Sequence, residues 1–397
     1  MKEEKRKAII VLEDGSYFEG YGFGATKEID GEFVFNTGMV GYPESMTDPS
    51  YHGQILTFTY PLIGNYGVPN PNIRDKWGIP RFFESDGLDL QSEKINVPYE
   101  DLENPHFIKT SGIVVHEACK IPSHWNCFMS LDEWMKKENI PGIEGIDTRE
   151  LTKKLRIQGV MLGILKVYDY GEVPDIEKLV EKVKRVKDPN LRDLVSEVSI
   201  KEPIIYENNG SRVVVLDMGI KLNIIRQLLL RNYEVVRVPY NFKPDEIFEY
   251  KPDAFLTSNG PGDPKINVQA IETTRYLIEN NLPFMGICLG NQIFALAMGG
   301  STYKLKYGHR SQNQPALDVK TNKCYITTQN HGFAPSEDSL KETDLEVWFI
   351  NANDNTNEGL YHKKKKAFAV QFHPENYPGP MDTEFLFDKF KSFIVKN

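Results

Sequence analysis

Pro283-Phe284-Met285-Gly286-Ile287-Cys288-Leu289-Gly290-Asn291-Gln292 decides the fold of this chain. Its apolar first half reads as a buried strand ending at Ile287, and residues 292–298 read as an apolar helix. Cys288 falls at the junction between them, next to Gly286 and Gly290, so the stretch predicts a strand–elbow–helix unit. Sulfur stands here where G-x-S-x-G hydrolases carry a serine hydroxyl. A thiol at a helix N-terminus meets unpaired N–H groups and the positive end of the helix dipole, which predicts a reactive sulfur. Working outward, Val213-Val214-Val215-Leu216 opens an alternation of elements: helix 221–231, strand 234–238, strand 254–257, helix 268–280 and strand 283–287. Alternation of this kind predicts an α/β domain with a doubly wound, mostly parallel sheet and a site at the strand C-terminal ends.

Downstream, His373-Pro374-Glu375 supplies what a cysteine nucleophile needs. Residues i and i+2 of an extended chain share a face, so Glu375 lies beside His373 while Pro374 stiffens the link. His373 can take the thiol proton, and Glu375 can hold the imidazole's orientation and tautomer. A lone cysteine is more often a buried structural residue. The elbow together with the downstream His-Pro-Glu favours the nucleophile.

Three ordered segments, Ser258-Asn259-Gly260-Pro261-Gly262-Asp263-Pro264, Gly286-Ile287-Cys288-Leu289-Gly290 and Gln371-Phe372-His373-Pro374-Glu375, resemble the class I (triad) glutamine amidotransferases over roughly 212–397. The Gly-rich turn after Ala254-Phe255-Leu256 lets backbone approach a ligand closely, although alone it is an ordinary loop. By resemblance, the N–H groups of Gly260 and Leu289 form an oxyanion hole. In the first half, Phe35-Asn36-Thr37-Gly38-Met39-Val40-Gly41-Tyr42-Pro43-Glu44, Thr47-Asp48-Pro49-Ser50-Tyr51, residues 59–67 and residues 142–149 resemble the small subunits of carbamoyl-phosphate synthase. Residues 217–226, Gln329-Asn330-His331-Gly332-Phe333 and Pro378-Gly379-Pro380 agree with that pattern, so the likeness spans nearly the whole chain.

The resemblance implies a glutaminase that releases ammonia for a large subunit, where bicarbonate and ATP with Mg would be bound. No cofactor or metal is expected in this chain. Ser50, Gly260, Gly262, Leu289, Gln292, Asn330, Gly332 and Phe333 stand at the positions expected to hold L-glutamine; without the resemblance, Ser50 and the Asn330-His331-Gly332 run read as turn residues. Asn291 departs from the family, which usually carries His there, and Gln314-Pro315 replaces a more usual His-Pro. Asn is a good capping residue and proton transfer falls to His373, so activity is expected to survive. A glutaminase of another synthase, a stand-alone hydrolase and a non-catalytic subunit are the competing readings. The first would lack the Asn36 to Tyr66 pattern, and the last would lack Cys288, His373 or Glu375.

Composition sets further bounds. The chain has 397 residues, 40% hydrophobic content, a net charge of −9 and four scattered cysteines. That is enough to bury the cores of two domains, argues against a nucleic-acid surface, and favours a reducing, cytoplasmic compartment. No run of residues matches a membrane helix or a targeting segment. Short strands expected over 8–70 and helical stretches within 131–157 predict an α+β N-terminal domain over 1–203, including a helical connector from Pro174 to Val198. Glu207-Asn208-Asn209-Gly210-Ser211 reads as a linker into the amidotransferase domain, 204–397. His116, Cys119, His124 and Cys127 have zinc-ligand types, but their pairs stand too close for most zinc folds. Lys363-Lys364-Lys365-Lys366 reads as a solvated strand turn, and no phosphate-binding Gly-rich fingerprint is present.

Overall fold

Short apolar segments separated by glycine in the first half close on themselves as a barrel. The computed structural model describes residues 6–87, 98–102 and 105–394; residues 1–5, part of the charged start of the chain, lie outside that set. The chain divides into two compact units, Met1–Leu191 and Arg192–Asn397.

In the first unit, seven strands among the described residues form a closed barrel in the order Lys7–Leu12, Tyr17–Gly24, Pro141–Glu144, Gly112–Val114, Gln54–Phe58, Glu28–Asn36 and Met161–Tyr168. Closure comes from Lys7–Leu12 pairing antiparallel with Met161–Tyr168, which leaves the barrel no free edge. Aromatic rings lie over glycines: a Cβ on Gly142 would meet Phe23 at 2.6 Å, and one on Gly163 would meet Phe33 at 2.5 Å. Helix Leu131–Lys137 opens with a Ser130–Glu133 capping box and buries Leu131, Trp134 and Met135. Helix Ile176–Val183 packs Leu179 and Val183 against Ile9, Val11 and Ile164.

The second unit holds a ten-stranded sheet among the described residues. Its parallel centre runs Glu234–Pro239, Arg212–Asp217, Ala254–Thr257, Phe284–Ile287 and Ala367–Val370. Ile204–Tyr206 adds an antiparallel edge, and Asn357–His362, Leu345–Asn351, Thr302–Asp318 and Lys323–Pro335 extend the other side antiparallel. From Arg212–Asp217 the chain steps outward to Glu234–Pro239 and then returns past it to Ala254–Thr257. Right-handed crossovers in both directions put helices on both faces, as a doubly wound sheet requires. The central strands Arg212–Asp217, Ala254–Thr257 and Phe284–Ile287 are buried except for Arg212 at the start of the first, which matches a sheet covered on both sides. Helices Leu222–Leu230 and Val268–Glu279 fall where the sequence places them, within one residue at each end, and Leu289–Ala297 starts three residues before the expected 292–298.

The division between units comes at 191/192, earlier than the 203/204 read from sequence. Val195 is part of the second unit's core, Tyr240 Oη donates to Asp193 Oδ2 at 2.7 Å, and the Ile200 N–H donates to Asp217 Oδ2 at 2.9 Å. These contacts draw the end of the expected connector into the second unit. The expected helical connector is itself broken into Ile176–Val183 and Val195–Val198. Residues 207–211 are a loop inside the second unit, between two of its strands, rather than a link between domains. Residues 363–366 form the expected turn between Asn357–His362 and Ala367–Val370, and Gln314-Pro315 lies on the long strand Thr302–Asp318. None of the described helices is long and apolar enough to cross a membrane.

Glu138 ties the first unit's aromatic core together. Buried, it accepts hydrogen bonds from Trp134 Nε1 at 2.6 Å, the Ile108 N–H at 2.7 Å and Tyr99 Oη at 3.1 Å. Burial pushes its carboxyl up to about 7 in spite of those donors. The folded value lies above the unfolded one, so the native state holds the proton more tightly, and Glu138's contribution to stability falls as pH rises from the ordinary glutamate range toward about 7. Glu138→Ala would orphan three buried donors, and urea denaturation is expected to show a loss of about 3 kcal/mol in the first unit.

Candidate active site

The site is built where strand Phe284–Ile287 ends and helix Leu289–Ala297 begins. Cys288 occupies that joint with φ 54° and ψ −101°, a left-handed conformation that a residue with a side chain adopts only under constraint. Its N–H donates to the Val370 carbonyl at 2.8 Å, and its own carbonyl accepts from the Asn291 N–H at 3.0 Å. Glycine is required on both sides by close packing. A Cβ on Gly286 would lie 2.6 Å from the Gly290 carbonyl oxygen, and one on Gly290 would lie 2.1 Å from that of Thr257. The elbow read from the sequence is present, and Cys288 is 1% exposed.

Around the sulfur, Gln371 Nε2 donates to Sγ at 3.7 Å, and the thiol points to the Asn330 carbonyl at 3.6 Å. His373 is brought up by the segment after strand Ala367–Val370. Its N–H donates to the Thr328 carbonyl at 2.9 Å, which ties it to the strand carrying Asn330. His373 Nδ1 lies 2.7 Å from Glu375 Oε1, and the same oxygen accepts from Lys221 Nζ at 2.9 Å. Lys221 also donates to the Asn376 carbonyl at 2.7 Å, and Asn223 Nδ2 donates to the Glu375 carbonyl. His373 Nε2 has no hydrogen-bond partner of normal geometry, which leaves it open toward the sulfur.

Charges set the proton affinities. Burial disfavours the His373 imidazolium, but the Glu375 charge and the nearby Cys288 sulfur outweigh it and raise its basicity. Burial likewise opposes the Glu375 carboxylate, yet the Lys221 ammonium first and His373 second hold it well below the usual range. A base whose Nδ1 is anchored and whose Nε2 is free near a thiol can take its proton and later return it.

The other expected positions divide into three groups. Gly260 packs directly on the elbow: a Cβ there would meet Met218 O at 2.0 Å and Leu289 Cδ2 at 2.9 Å. The Leu289 N–H is in the first turn of its helix, where N–H groups have no helical partner. Gly262 follows in the same loop with φ 83°. Gln292, Asn330, Gly332 and Phe333 form the second group; Gln292 Nε2 donates to the Phe333 carbonyl at 2.9 Å, and Gly332 faces the Arg310 guanidinium. Ser50 belongs to the first unit, where its N–H donates to Asp48 Oδ1 at 2.9 Å in a buried turn.

Two contributors, Lys221 and Gln371, escaped the sequence reading. Lys221 lies in a quoted segment without an assigned role; a lysine inside the apolar run Ile220-Lys221-Leu222 is the one signal of a buried ammonium. Gln371 links Cys288 to Asn291 Nδ2 and Gln292 Nε2, which approach its Oε1 at 3.2 and 3.3 Å. Asn291 is therefore a buried support for Gln371. The residues His116, Cys119, His124 and Cys127 turn to local carbonyls and backbone: Cys119 to Ile121 O, Cys127 to Met129 O, His116 to Ile146 O, and the Asn126 N–H to His124.

A cysteine elbow, an adjoining Gly-rich loop and a histidine–glutamate pair on one doubly wound sheet define a class I glutamine amidotransferase domain. Residues 214–393 match the family Glutamine amidotransferase class-I, and residues 10–165 match Carbamoyl-phosphate synthase small chain, CPSase domain. The carbamoyl phosphate synthase small chain of Methanocaldococcus jannaschii is 50% identical over 385 residues, covering 96% of this chain and 98% of that one. That of Listeria monocytogenes is 46% identical over 388 residues, covering 98% and 97%, and a pyrimidine-specific small chain of Halalkalibacterium halodurans is 44% identical over 391 residues, covering 98% of each. This chain belongs to the family of carbamoyl phosphate synthase small chains.

Two outcomes are expected at this site. Lys221→Met leaves the buried Glu375 carboxylate with one partner fewer, and urea unfolding at pH 7 should show a loss of about 3–5 kcal/mol. Because Glu375 is held below its unfolded value, the stability it contributes exists above the ordinary glutamate range and is lost as pH falls, so the penalty should shrink at pH 4. Gly290→Ala drives a Cβ into the Thr257 carbonyl and should abolish thiol alkylation by a glutamine analogue, read by mass spectrometry.

Proposed function

We propose that this chain is the glutaminase subunit of a glutamine-dependent carbamoyl phosphate synthase. The observation that carries the reading is the strained Cys288 elbow facing the free Nε2 of a His373 anchored to Glu375. Cys288 attacks the side-chain amide carbon of glutamine as His373 takes its proton. Backbone N–H groups of Gly260 and Leu289 hold the oxyanion, and His373 gives the proton to departing ammonia. Water then gives up a proton to His373, attacks the thioester and releases glutamate, restoring the thiol.

Gln292, Asn330, Gly332 and Phe333 bind glutamine beside the sulfur, and Gly262 belongs to the Gly-rich loop facing it. Ser50 rests on the family resemblance alone. The ammonia passes to a large subunit, which carries ATP and Mg and combines it with bicarbonate. Support for the partner comes from the relatives' description as small chains, and a pyrimidine role draws on the relative named pyrimidine-specific. Service to arginine synthesis and a cytoplasmic heterodimer complete the proposal.

Glutamate release by the purified chain, alone and with a carbamoyl phosphate synthase large subunit, ATP and bicarbonate, tests it. Cys288→Ser should lower the rate by about 10³-fold or more, and the large subunit should stimulate the wild type. Equal activity with and without the partner would point to a stand-alone hydrolase. No activity in either condition would point to a degenerate subunit.

A further inference from the structure

Next to the strand segment carrying Asn330 and Phe333 lies a second buried group that the reaction above does not use. His309, His331 and Glu358 bring their ring nitrogens and a carboxylate oxygen within 4.8 Å of one another. His309 Nε2 faces Asp354 Oδ2 at 2.8 Å, and its Nδ1 faces Glu358 Oε1 at 3.2 Å. Asn351 Nδ2 donates to the same Glu358 oxygen at 3.2 Å. The His309 and His331 rings meet edge to face, their centroids 5.0 Å apart.

A carboxylate on each nitrogen favours the charged ring. Burial opposes it, yet Asp354 and Glu358 raise His309's basicity. His331 is pushed the other way, by burial first and by the His309 charge next, so it stays neutral with a single N–H. Its Nδ1 lies 2.9 Å from the Phe333 carbonyl, which can only accept, and its Nε2 lies 3.2 Å from the Gln329 side-chain amide, which can turn to donate, so the shorter contact to the obligate acceptor takes the proton. That same carbonyl accepts from Gln292 Nε2. A continuous chain of contacts thus runs from Asp354 and Glu358 through His309 and His331 to Gln292.

We propose that His309, clamped between Asp354 and Glu358, is a positioning residue that fixes His331 and, through the Phe333 carbonyl, the Gln292 side chain and the 330–333 segment that receive glutamine. The proposal rests on the glutaminase reading for its substrate, though the hold of His309 on His331 does not. His309, Asp354, Glu358 and His331 make no hydrogen bond to the Cys288 sulfur or to His373 Nε2, and the chain reaches the sulfur only at its far end, through the Asn330 carbonyl and through Gln292 and Gln371, so its loss weakens substrate binding more than it slows chemistry.

The experiment uses the full chain. His309→Asn should raise KM for glutamine about 10-fold with kcat within about 2-fold of wild type, the pattern of lost uniform binding. Calorimetric titration with glutamine in a Cys288→Ser background should show the same rise in Kd. Asp354→Asn keeps the proposal testable if His309→Asn fails to fold, because the Asp354 side chain is 43% exposed; it should raise KM about 3-fold. A purely structural role would instead lower the melting temperature and the active fraction and leave KM unchanged, which overturns the proposal.

Nitrogen NMR of the histidine rings supplies an arm independent of substrate. Wild type should show His331 as the neutral, Nδ1-protonated form, and His309→Asn should alter that signal. An unchanged His331 signal, or a stoichiometric zinc ion retained by wild type and lost in His309→Asn, would overturn the proposal. Absence of glutamine binding in Cys288→Ser itself would sink the glutaminase reading, with the NMR result still deciding whether His309 governs His331.

Discussion

One carboxylate oxygen, Glu375 Oε1, joins the chemistry of the second unit to its fold. It accepts from both His373 Nδ1 and Lys221 Nζ in a place sealed from water. A buried charge is tolerated only when paired, so the ammonium at the head of helix Leu222–Leu230 and the imidazole after strand Ala367–Val370 must meet at that oxygen. Their meeting draws together segments 154 residues apart and leaves the His373 ring with one nitrogen committed and one free. Packing of the same severity governs the other side of the sulfur, where Gly260, Gly286 and Gly290 each lie against a backbone carbonyl oxygen that a methyl group would strike. The nucleophile's strained backbone is held by that packing and by the hydrogen bond from its N–H to the Val370 carbonyl.

Short-range patterns carried most of what the sequence disclosed. The elbow depends on two glycines within two residues of Cys288, and the dyad on two residues of an extended segment, so both were legible without knowledge of distant contacts. Lys221 was not, because no local pattern says where a buried ammonium will end. Gln371 escaped for a related reason: it stands within a recognised segment, but its amide finds Asn291 and Gln292 only after strand and helix have packed. Asn291 shows the converse. Its departure from the family's usual histidine was visible at once, and its place as a support for Gln371 emerged from three dimensions.

The first unit marks the limit of periodicity. Strands were expected over residues 8–70, and they are there, but closure into a barrel depends on Lys7–Leu12 finding Met161–Tyr168 across most of the unit. No turn signal encodes that pairing. The boundary between units shifted for a similar reason, since a polar turn at 207–211 resembles a linker by composition, whereas Val195 and Asp193 show by their contacts which core the preceding segment joins.

Burial of Cys288 has a chemical consequence. Of the chain's four free cysteines, Cys324 is exposed, Cys119 and Cys127 are partly covered, and the elbow sulfur alone is buried. Oxidants and bulky electrophiles meet thiols in order of access as well as thiolate character. Cys324, near the start of the strand Lys323–Pro335, therefore stands as the first target for indiscriminate damage, while the nucleophile is screened from reagents that do not fit its surroundings. The cover that keeps bulk water from the sulfur acts as a redox filter as well.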